Sequence, residues 1–471
     1  IVGISDTGLD ADMCYFYDSD EGLPGEQLNP NQRKVIVYHN WAPTFDWDGH
    51  DHGTHTACTI AGDNSLHLGQ PDTYDGMAYN AKLVIQDIAE GGFLSGLPSD
   101  LNILFQQAYD DGARIHSNSW GADTFGAYDS YSQNVDEFMW DHKNFLILFS
   151  AGNSGPYTGS VGAPATAKNC ISAGATENAH SGYNQENVAY FSSNGPTDDN
   201  RIKPTIMAPG YYLISADNDS SVFTYNCGTR TMSGTSMSCP ATAGLSALIR
   251  QYFTDGYYPT GAPNPRDGFE PSAALIKAVL VNSGVNMTGA YTDGPIPSTG
   301  QGWGRALADN VLYFEGEDRG LAVVDETVGI STGMTVSYIY YSNGTYPFKA
   351  TLVWTDYPST PYASIHLVND LDLVVTAPDG TTYYGNVFSN GESITGGSPD
   401  RRNVVEQVLI SNPPEGIYTV EVRGFNVPQG PQPFALVVSG VSMCTSEGVV
   451  RLNHNKYNLN STVNNLSLIH I

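Results

Sequence analysis

Apolar positions along the first two thirds of the chain fall into two alternating textures. Short, nearly uninterrupted apolar runs at residues 1–5, 82–89, 113–119, 145–151 and 170–175 read as strands buried on both faces. Among them lie stretches with helical spacing: residues 56–62, residues 99–109 with Ser99 as an N-cap, and residues 241–253, which read as an apolar helix. Strand–helix alternation of this kind predicts a parallel sheet covered by helices, an α/β domain over residues 1–312. From about residue 315 the helical spacing disappears. Runs rich in β-branched and aromatic residues at 334–341, 348–354, 371–377, 382–384, 406–410, 418–423 and 434–438 take over. Turn signals such as Pro378-Asp379-Gly380 and Pro414-Glu415-Gly416 separate them, predicting an all-β jelly roll or sandwich over residues 313–440. Residues 448–452 read as a strand opening a further β unit at 441–471, which stops in mid-pattern. The chain also begins inside a strand and without methionine, so the expectation is a chain cut at both ends, with any signal peptide or propeptide upstream.

Composition narrows the possible partners. At 471 residues and 40% hydrophobic, the chain can build two or three cores. With 49 acidic against 20 basic residues the net charge is −29, which argues against nucleic acid or an anionic membrane as partner. The same acidity suits calcium without requiring it. No run is long and apolar enough to span a bilayer. Among the six cysteines, Cys58 and Cys239 fall on helical stretches and read as small buried apolar residues. Cys170 and Cys227 could bridge segments around the site, one of many pairings open to six cysteines. Glycosylation sequons stand at Asn218, Asn286, Asn343, Asn460 and Asn465, in a chain where most such matches arise by chance.

Candidate chemistry sits at three places. Ser236 lies in Ser233-Gly234-Thr235-Ser236-Met237-Ser238-Cys239-Pro240, at the start of the apolar helix. Unpaired backbone N–H groups and the positive end of the helix dipole favour negative charge there. Serine alone is a weak nucleophile; it needs a base, and the base needs an orienting group. Imidazoles come from His50-Asp51-His52-Gly53-Thr54-His55, and Asp6-Thr7-Gly8 puts an acid at the carboxyl end of the first strand, where site residues gather in open α/β sheets. Each signature alone is ambiguous. D-T-G also marks aspartic proteases, but those need two such loops, and no second D-[TS]-G exists here. His50, His52 and His55 could converge on zinc, although the metallo-β-lactamase-like pattern wants Asp where Thr54 stands. Ser236 lacks the following glycine of a nucleophile elbow, and α/β-hydrolases place the serine first in the chain.

Taken together, D-T-G, H-G-T-H and G-T-S-M-x-x-P in the order Asp…His…Ser resemble the three signatures of the subtilisin-like serine proteases. The resemblance implies that Asp6 orients, His52 acts as base and then acid, and Ser236 is the nucleophile. Asn153, in Ser150-Ala151-Gly152-Asn153-Ser154-Gly155, matches the family's oxyanion-hole asparagine, which works beside the Ser236 N–H. By the same resemblance Ser119, Trp120 and Gly121 form an edge strand that pairs with extended peptide. Ser150, Ala151 and Gly152 line the primary specificity pocket, with room for a bulky apolar side chain, and residues 191–196 and 203–210 are structural turns nearby.

The resemblance runs on through Gln301-Gly302-Trp303-Gly304-Arg305 and Leu367-Val368-Asn369-Asp370-Leu371-Asp372-Leu373 to the oxidatively stable alkaline branch, whose protease domain is followed by a calcium-binding β-barrel of jelly-roll type. Asp370 and Asp372 alternate on one strand and project from one face, which makes them the expected calcium ligands. Departures from the family pattern are Cys14, Cys58, Cys239 and Asn194, the last where arginine is common. The expectation is a secreted, monomeric serine endopeptidase acting on polypeptides through an acyl-enzyme. Three rivals remain: a kexin-like processing protease, which needs acids in its first two substrate pockets; a binding module carrying an inactive protease fold; and a metal-dependent hydrolase built on His50, His52 and His55.

Overall fold

The computed structural model describes residues 1–43, 47–67 and 72–442. The strand expected at 448–452, Cys444 and the sequons at Asn460 and Asn465 lie outside the described residues. The chain divides into two compact units. One comprises Ile1–Arg250, Val285–Ala306 and Thr360–Ser364; the other comprises Gln251–Gly284, Leu307–Ser359 and the residues from Ile365 onward.

In the first unit, β1 (Val2–Asp6), β2 (Val35–Asn40), β3 (Leu83–Asp87), β4 (Ile115–Asn118), β5 (Leu146–Ser150), β6 (Ile171–Thr176) and β7 (Ile206–Pro209) form one sheet in the order β2-β3-β1-β4-β5-β6-β7. Every pairing is parallel. Leu146, Ile147, Leu148 and Phe149 of β5 are all fully buried, as befits a strand covered on both faces. Helices α1 (His52–Ala61), α2 (Leu101–Asp110) and α3 (Ser130–Asp141) belong to this unit, as do the short hairpin strands β8 (Leu213–Ala216) and β9 (Thr229–Met232). Helix α4 (Thr235–Thr254) carries Ser236 in its first turn.

The predicted strands and helices reappear with shifted ends. Helix α2 is capped by Asp100 rather than Ser99: the Asp100 carboxylate accepts from the Asn102 N–H, while Leu101, Leu104, Phe105 and Ala108 turn inward at helical spacing. Strand β7 lies inside the segment read as turns; Pro204 just before it and Pro209 as its last residue hide a four-residue strand. On both sides of β1 the sheet is built outward, so the crevice beyond the carboxyl ends of β1 and β4 is the switch point where α/β sheets hold their sites.

The second unit is antiparallel. Strands β10 (Gly320–Ile330), β11 (Thr335–Ser342), β12 (Phe348–Val353), β13 (Asp370–Thr376), β14 (Thr382–Tyr384), β15 (Phe388–Ser389), β16 (Glu392–Ser393), β17 (Val405–Ile410), β18 (Gly416–Asn426) and β19 (Gln432–Val441) follow in chain order. They form sheets β10-β19-β12-β17 and β11-β18-β13-β14, plus the small β15–β16 ribbon. Helix α5 (Ala273–Ser283) is buried along its whole length and packs on β12 and β19. Asn282 donates to Thr351 Oγ1 (3.0 Å), and Lys349 Nζ returns to the Asn282 carbonyl (2.8 Å). The hydrophobic pattern drew a border at residue 312, whereas residues 251–284 and 307–312 cluster with the β sheets, because a helix apolar all round needs cover on every side.

Cys227 is bonded to Cys14 across 213 positions of sequence, which corrects the Cys170–Cys227 pairing. Cys58, Cys170 and Cys239 are buried thiols outside any disulfide. No helix among the described residues is long and apolar enough to cross a membrane.

Candidate active site

Asp6 ends β1 and His52 opens α1, and the topology brings them together. The His52 Nδ1–Asp6 Oδ1 distance is 2.6 Å. The same carboxylate accepts from the Thr7 N–H (2.8 Å) and, through Oδ2, from Thr56 Oγ1 (3.2 Å), which fixes its plane. Gly53 is required by the close approach of α1 to the D-T-G turn, since a Cβ there would lie 2.0 Å from the Gly8 carbonyl oxygen. Burial pulls the His52 pKa down, but the Asp6 charge and hydrogen bond, helped by Asp48, outweigh it and hold the imidazole above its ordinary value.

Asp48 is the part the sequence reading missed. It is 2% exposed and accepts four hydrogen bonds: from Thr7 Oγ1 (2.8 Å), His50 N–H (3.2 Å), Thr54 N–H (2.8 Å) and Thr54 Oγ1 (2.5 Å). Thr7 Oγ1 in turn accepts from the Gly53 N–H (2.8 Å). Asp48 thus caps α1 from outside the helix and ties the D-T-G turn to it; Asp51, at the usual capping position, makes no such bond. Burial raises the Asp48 pKa, against the pull of its Thr54 and Thr7 donors. The threonines within D-T-G and H-G-T-H were the available signal.

Ser236 and Ser119 are bonded reciprocally. The Ser236 hydroxyl donates to the Ser119 carbonyl (3.2 Å), and the Ser119 hydroxyl donates to the Ser236 carbonyl (2.9 Å). The second bond has a covalent cause. Pro240, four residues on within α4, has no N–H to give the Ser236 carbonyl, and Ser119 takes its place. Asn153 is held by its oxygen: Oδ1 accepts from the Thr235 N–H (2.9 Å) and Thr235 Oγ1 (3.0 Å), which leaves the amide nitrogen to point elsewhere. Thr235 Oγ1 also accepts from the Gly152 N–H (3.2 Å). Gly152 takes φ 110°, which favours glycine, and a Cβ there would meet Ser193 Oγ at 2.8 Å.

A cleft of about 420 Å³ joins these groups. Its lining includes all of the pocket residues expected from sequence, Ser119, Trp120, Gly121, Ser150, Ala151 and Gly152, together with Asn153 and Ser236. Ala122, Asp123, Gly162, Ala163 and Thr235 also line it and were not anticipated. The Trp120 ring turns away into the core, where Nε1 donates to Ser5 Oγ (2.9 Å) and the ring meets Phe149 edge-on.

The three histidines do not converge. His55 is fully buried, with Nε2 3.2 Å from both the Leu213 and the Arg230 carbonyl oxygens, and burial lowers its pKa to about 4. His52 addresses Asp6 instead.

Asp370 and Asp372, the expected calcium ligands, stand beside a basic side chain. Both project from one face of β13, as the period of a strand requires, but the cation between them is Arg401. Its Nη1 lies 3.1 Å from Asp370 Oδ1 and in contact with Asp372 Oδ1, and its guanidinium stacks 3.7 Å over the Phe425 ring. The guanidinium offsets the two carboxylates in part, while burial, Asp372 and Asp400 still push the Asp370 pKa up to about 7.

A family model of the subtilases (peptidase S8) matches residues 1–304. The chain belongs to the subtilase family, which is a family of serine endopeptidases. Among curated proteins it is similar to the serine protease/ABC transporter B family protein tagB of Dictyostelium discoideum, 29% identical over 93% of this chain and 30% of the other. It is also similar to serine protease AprX of Bacillus subtilis (strain 168), 31% identical over 45% of this chain and 51% of that protein. This chain therefore spans under a third of the length of the Dictyostelium relative. Among solved structures, sphericase superimposes with a TM-score of 0.45 at 24% identity, over 65% of this chain and 90% of its own.

Proposed function

We propose that the chain is the catalytic part of a secreted serine endopeptidase using Asp6, His52 and Ser236. The observation carrying this reading is the 2.6 Å Asp6–His52 contact, in the unit whose cleft is lined by both Ser236 and Asn153. Ser236 Oγ swings from the Ser119 carbonyl toward His52 and attacks the peptide carbonyl carbon, its proton passing to His52 Nε2. Asp6, bonded at Nδ1, fixes the tautomer and stabilises the imidazolium. The Asn153 amide and the Ser236 N–H donate to the oxyanion. As the C–N bond breaks, His52 returns its proton to the leaving amine. Water then gives a proton to His52 and its oxygen to the acyl carbon, releasing the acid and restoring Ser236. The Cys14–Cys227 bond suits an oxidising compartment and supports secretion. The antiparallel second unit is consistent with the alkaline-subtilase branch and its jelly roll.

Asp123 in the cleft lining favours one further reading, the kexin-like protease that selects basic residues. Cleavage of paired basic and apolar peptide panels separates the two. The primary test is labelling with a fluorophosphonate beside a Ser236→Ala control. Labelling confined to Ser236 is expected; none, in protein shown folded by calorimetry, overturns the proposal.

A further inference from the structure

Three N-x-S/T sequons fall among the described residues, at Asn218, Asn286 and Asn343, and the fold treats them differently. Asn218 is half-buried. Its Nδ2 donates to the Asp48 carbonyl, and its Oδ1 accepts from the Ser220 N–H (2.5 Å). Asn286 is also half-buried, with Oδ1 accepting from the Ile296 N–H (2.9 Å) and from Gln301 Nε2 (3.3 Å). Both side chains hold loops together, and a saccharide on either amide competes with that packing.

Asn343 has no such duty. It follows β11 in Tyr341-Ser342-Asn343-Gly344-Thr345, and both Asn343 and Thr345 are exposed. Its Oδ1 accepts from the Thr345 N–H (3.0 Å), closing an Asx turn, while Nδ2 makes no hydrogen bond to the described residues. Gly344 takes φ 75°, which favours glycine, and completes the turn. Ser342 is fully buried and donates to the Gly440 carbonyl (3.1 Å), so Tyr341 and Asn343 flank it on the outer side, as the strand period requires. The Tyr341 ring is 42% exposed and is pinned through its hydroxyl, which donates to Glu415 Oε1 (2.5 Å). Directly opposite it on β18 stands Ile417, 59% exposed. An exposed apolar surface therefore lies beside an exposed acceptor amide.

We propose that Asn343 is an N-glycosylation site whose first sugar lies on the Tyr341 ring. The co-substrate is an oligosaccharide carried on a polyisoprenyl diphosphate, the donor of the eukaryotic secretory lumen. Asn343 Nδ2 attacks the anomeric carbon of the first N-acetylglucosamine. The N–C bond forms as the C–O bond to the diphosphate breaks, the lipid diphosphate leaves with the electron pair, and the amide gives up one proton. Nδ2 keeps its other hydrogen, and Oδ1 keeps the Thr345 bond. Transfer takes place on the unfolded chain, so the part of the fold is to accommodate the product, which the exposed turn at Asn343 does. A pyranose presents C–H groups on one face, and these suit the electron-rich face of a tyrosine ring. Stacked there, the sugar covers the Tyr341–Ile417 patch on β11, an edge strand where uncovered apolar surface invites pairing with another chain. The inference rests on the secretion proposed above, not on catalysis.

The test expresses the full chain as Ser236→Ala, to prevent self-digestion, behind a secretion signal in a eukaryotic host. Protein from the medium and from the cells is treated with peptide N-glycosidase in heavy-oxygen water and mapped by mass spectrometry. Labelled aspartate is expected at position 343 and is lost in Asn343→Gln; an Asn343 peptide unlabelled in both fractions overturns the site. Thiol mapping of the same digest reports separately on secretion: Cys14 and Cys227 found reduced in exported protein count against that reading and leave the Asn343 result standing. The stack is read from melting temperatures. Trimming the glycan to one sugar leaves the parent's melting temperature unchanged and complete removal lowers it, whereas in Tyr341→Ala complete removal changes nothing; an equal drop in both proteins overturns the stack. Should Tyr341→Ala fail to fold, proton NMR of the trimmed parent decides: upfield ring-current shifts of the sugar protons support the stack, and their absence overturns it.

Discussion

Thr235→Val isolates how Asn153, the proposed oxyanion donor, is aimed. Valine keeps the shape of this fully buried side chain and removes only the hydroxyl, which donates to Asn153 Oδ1 at 3.0 Å and accepts from the Gly152 N–H at 3.2 Å. The Thr235 N–H still holds Asn153 Oδ1 at 2.9 Å, so the carboxamide loses one of two restraints. One hydrogen bond contributes about 1 kcal/mol net to aiming the carboxamide, and the unpaired Gly152 N–H, at about 1–3 kcal/mol, weighs on folding stability in the ground and transition states alike. Complete loss of an oxyanion donor costs about 10²–10³ in kcat, a figure that comes from subtilisin, itself a member of this family. Partial misaiming therefore predicts a kcat lower by about tenfold with KM nearly unchanged, since about 1.4 kcal/mol in the transition state is a factor of ten. The assay is steady-state hydrolysis of a chromogenic peptide by the parent, Thr235→Val, Thr235→Ser, Asn153→Ala and the double variant. Serine keeps the hydroxyl and restores most of the rate. If Thr235 acts through Asn153, the double variant is no slower than Asn153→Ala. A further tenfold loss in the double variant refutes the reasoning.

Three other predictions concern charge and cross-linking. The acid limb of kcat/KM lies above the ordinary imidazole value of 6.5, because Asp6 holds the His52 pKa up and only neutral His52 accepts the proton; Asp6→Asn moves the limb to lower pH, and an unmoved limb contradicts the assignment. The sign for stability follows from the same shift: the raised folded pKa contributes stability that is full below about 6.5 and lost as pH rises through the folded value, read from denaturant midpoints of the Ser236→Ala protein against pH. Cys14→Ser with Cys227→Ser opens a loop spanning 213 positions and costs about 5 kcal/mol by loop-closure entropy, seen as a lower urea midpoint; an unchanged midpoint contradicts it.

The alternation of short apolar runs with helical spacing made the parallel sheet legible, because strands covered on both faces carry no polar interruptions, as β5 illustrates. Strand β7 was obscured by its flanking prolines, and α5 by a uniform apolarity that names no partner. At the site, the D-T-G, H-G-T-H and G-T-S motifs singled out Asp6, His52 and Ser236; the structure sets Asp6 against His52 and puts Ser236 in the lining of the cleft. Asp48 and Pro240 were not legible as parts of the site. Asp48 acts by joining Thr7, forty-one positions away, to its neighbours His50 and Thr54, and Pro240 by leaving the Ser236 carbonyl to distant Ser119; beyond the threonines of the two motifs, no local pattern announces either link. Asp370 and Asp372 show the converse: the strand period correctly put both on one face, but it contained no hint of Arg401, some thirty residues away.

Pro240 also has a mechanical consequence. By denying the Ser236 carbonyl its helical donor, it makes the nucleophile's own peptide group depend on Ser119, at the lip of the cleft. The lip and the first turn of α4 are therefore latched together at two points and displace together. When the Ser236 hydroxyl turns from the Ser119 carbonyl toward His52, as proposed above, the Ser119 hydroxyl still holds the Ser236 carbonyl, so the lip and the first turn of α4 keep one of their two ties.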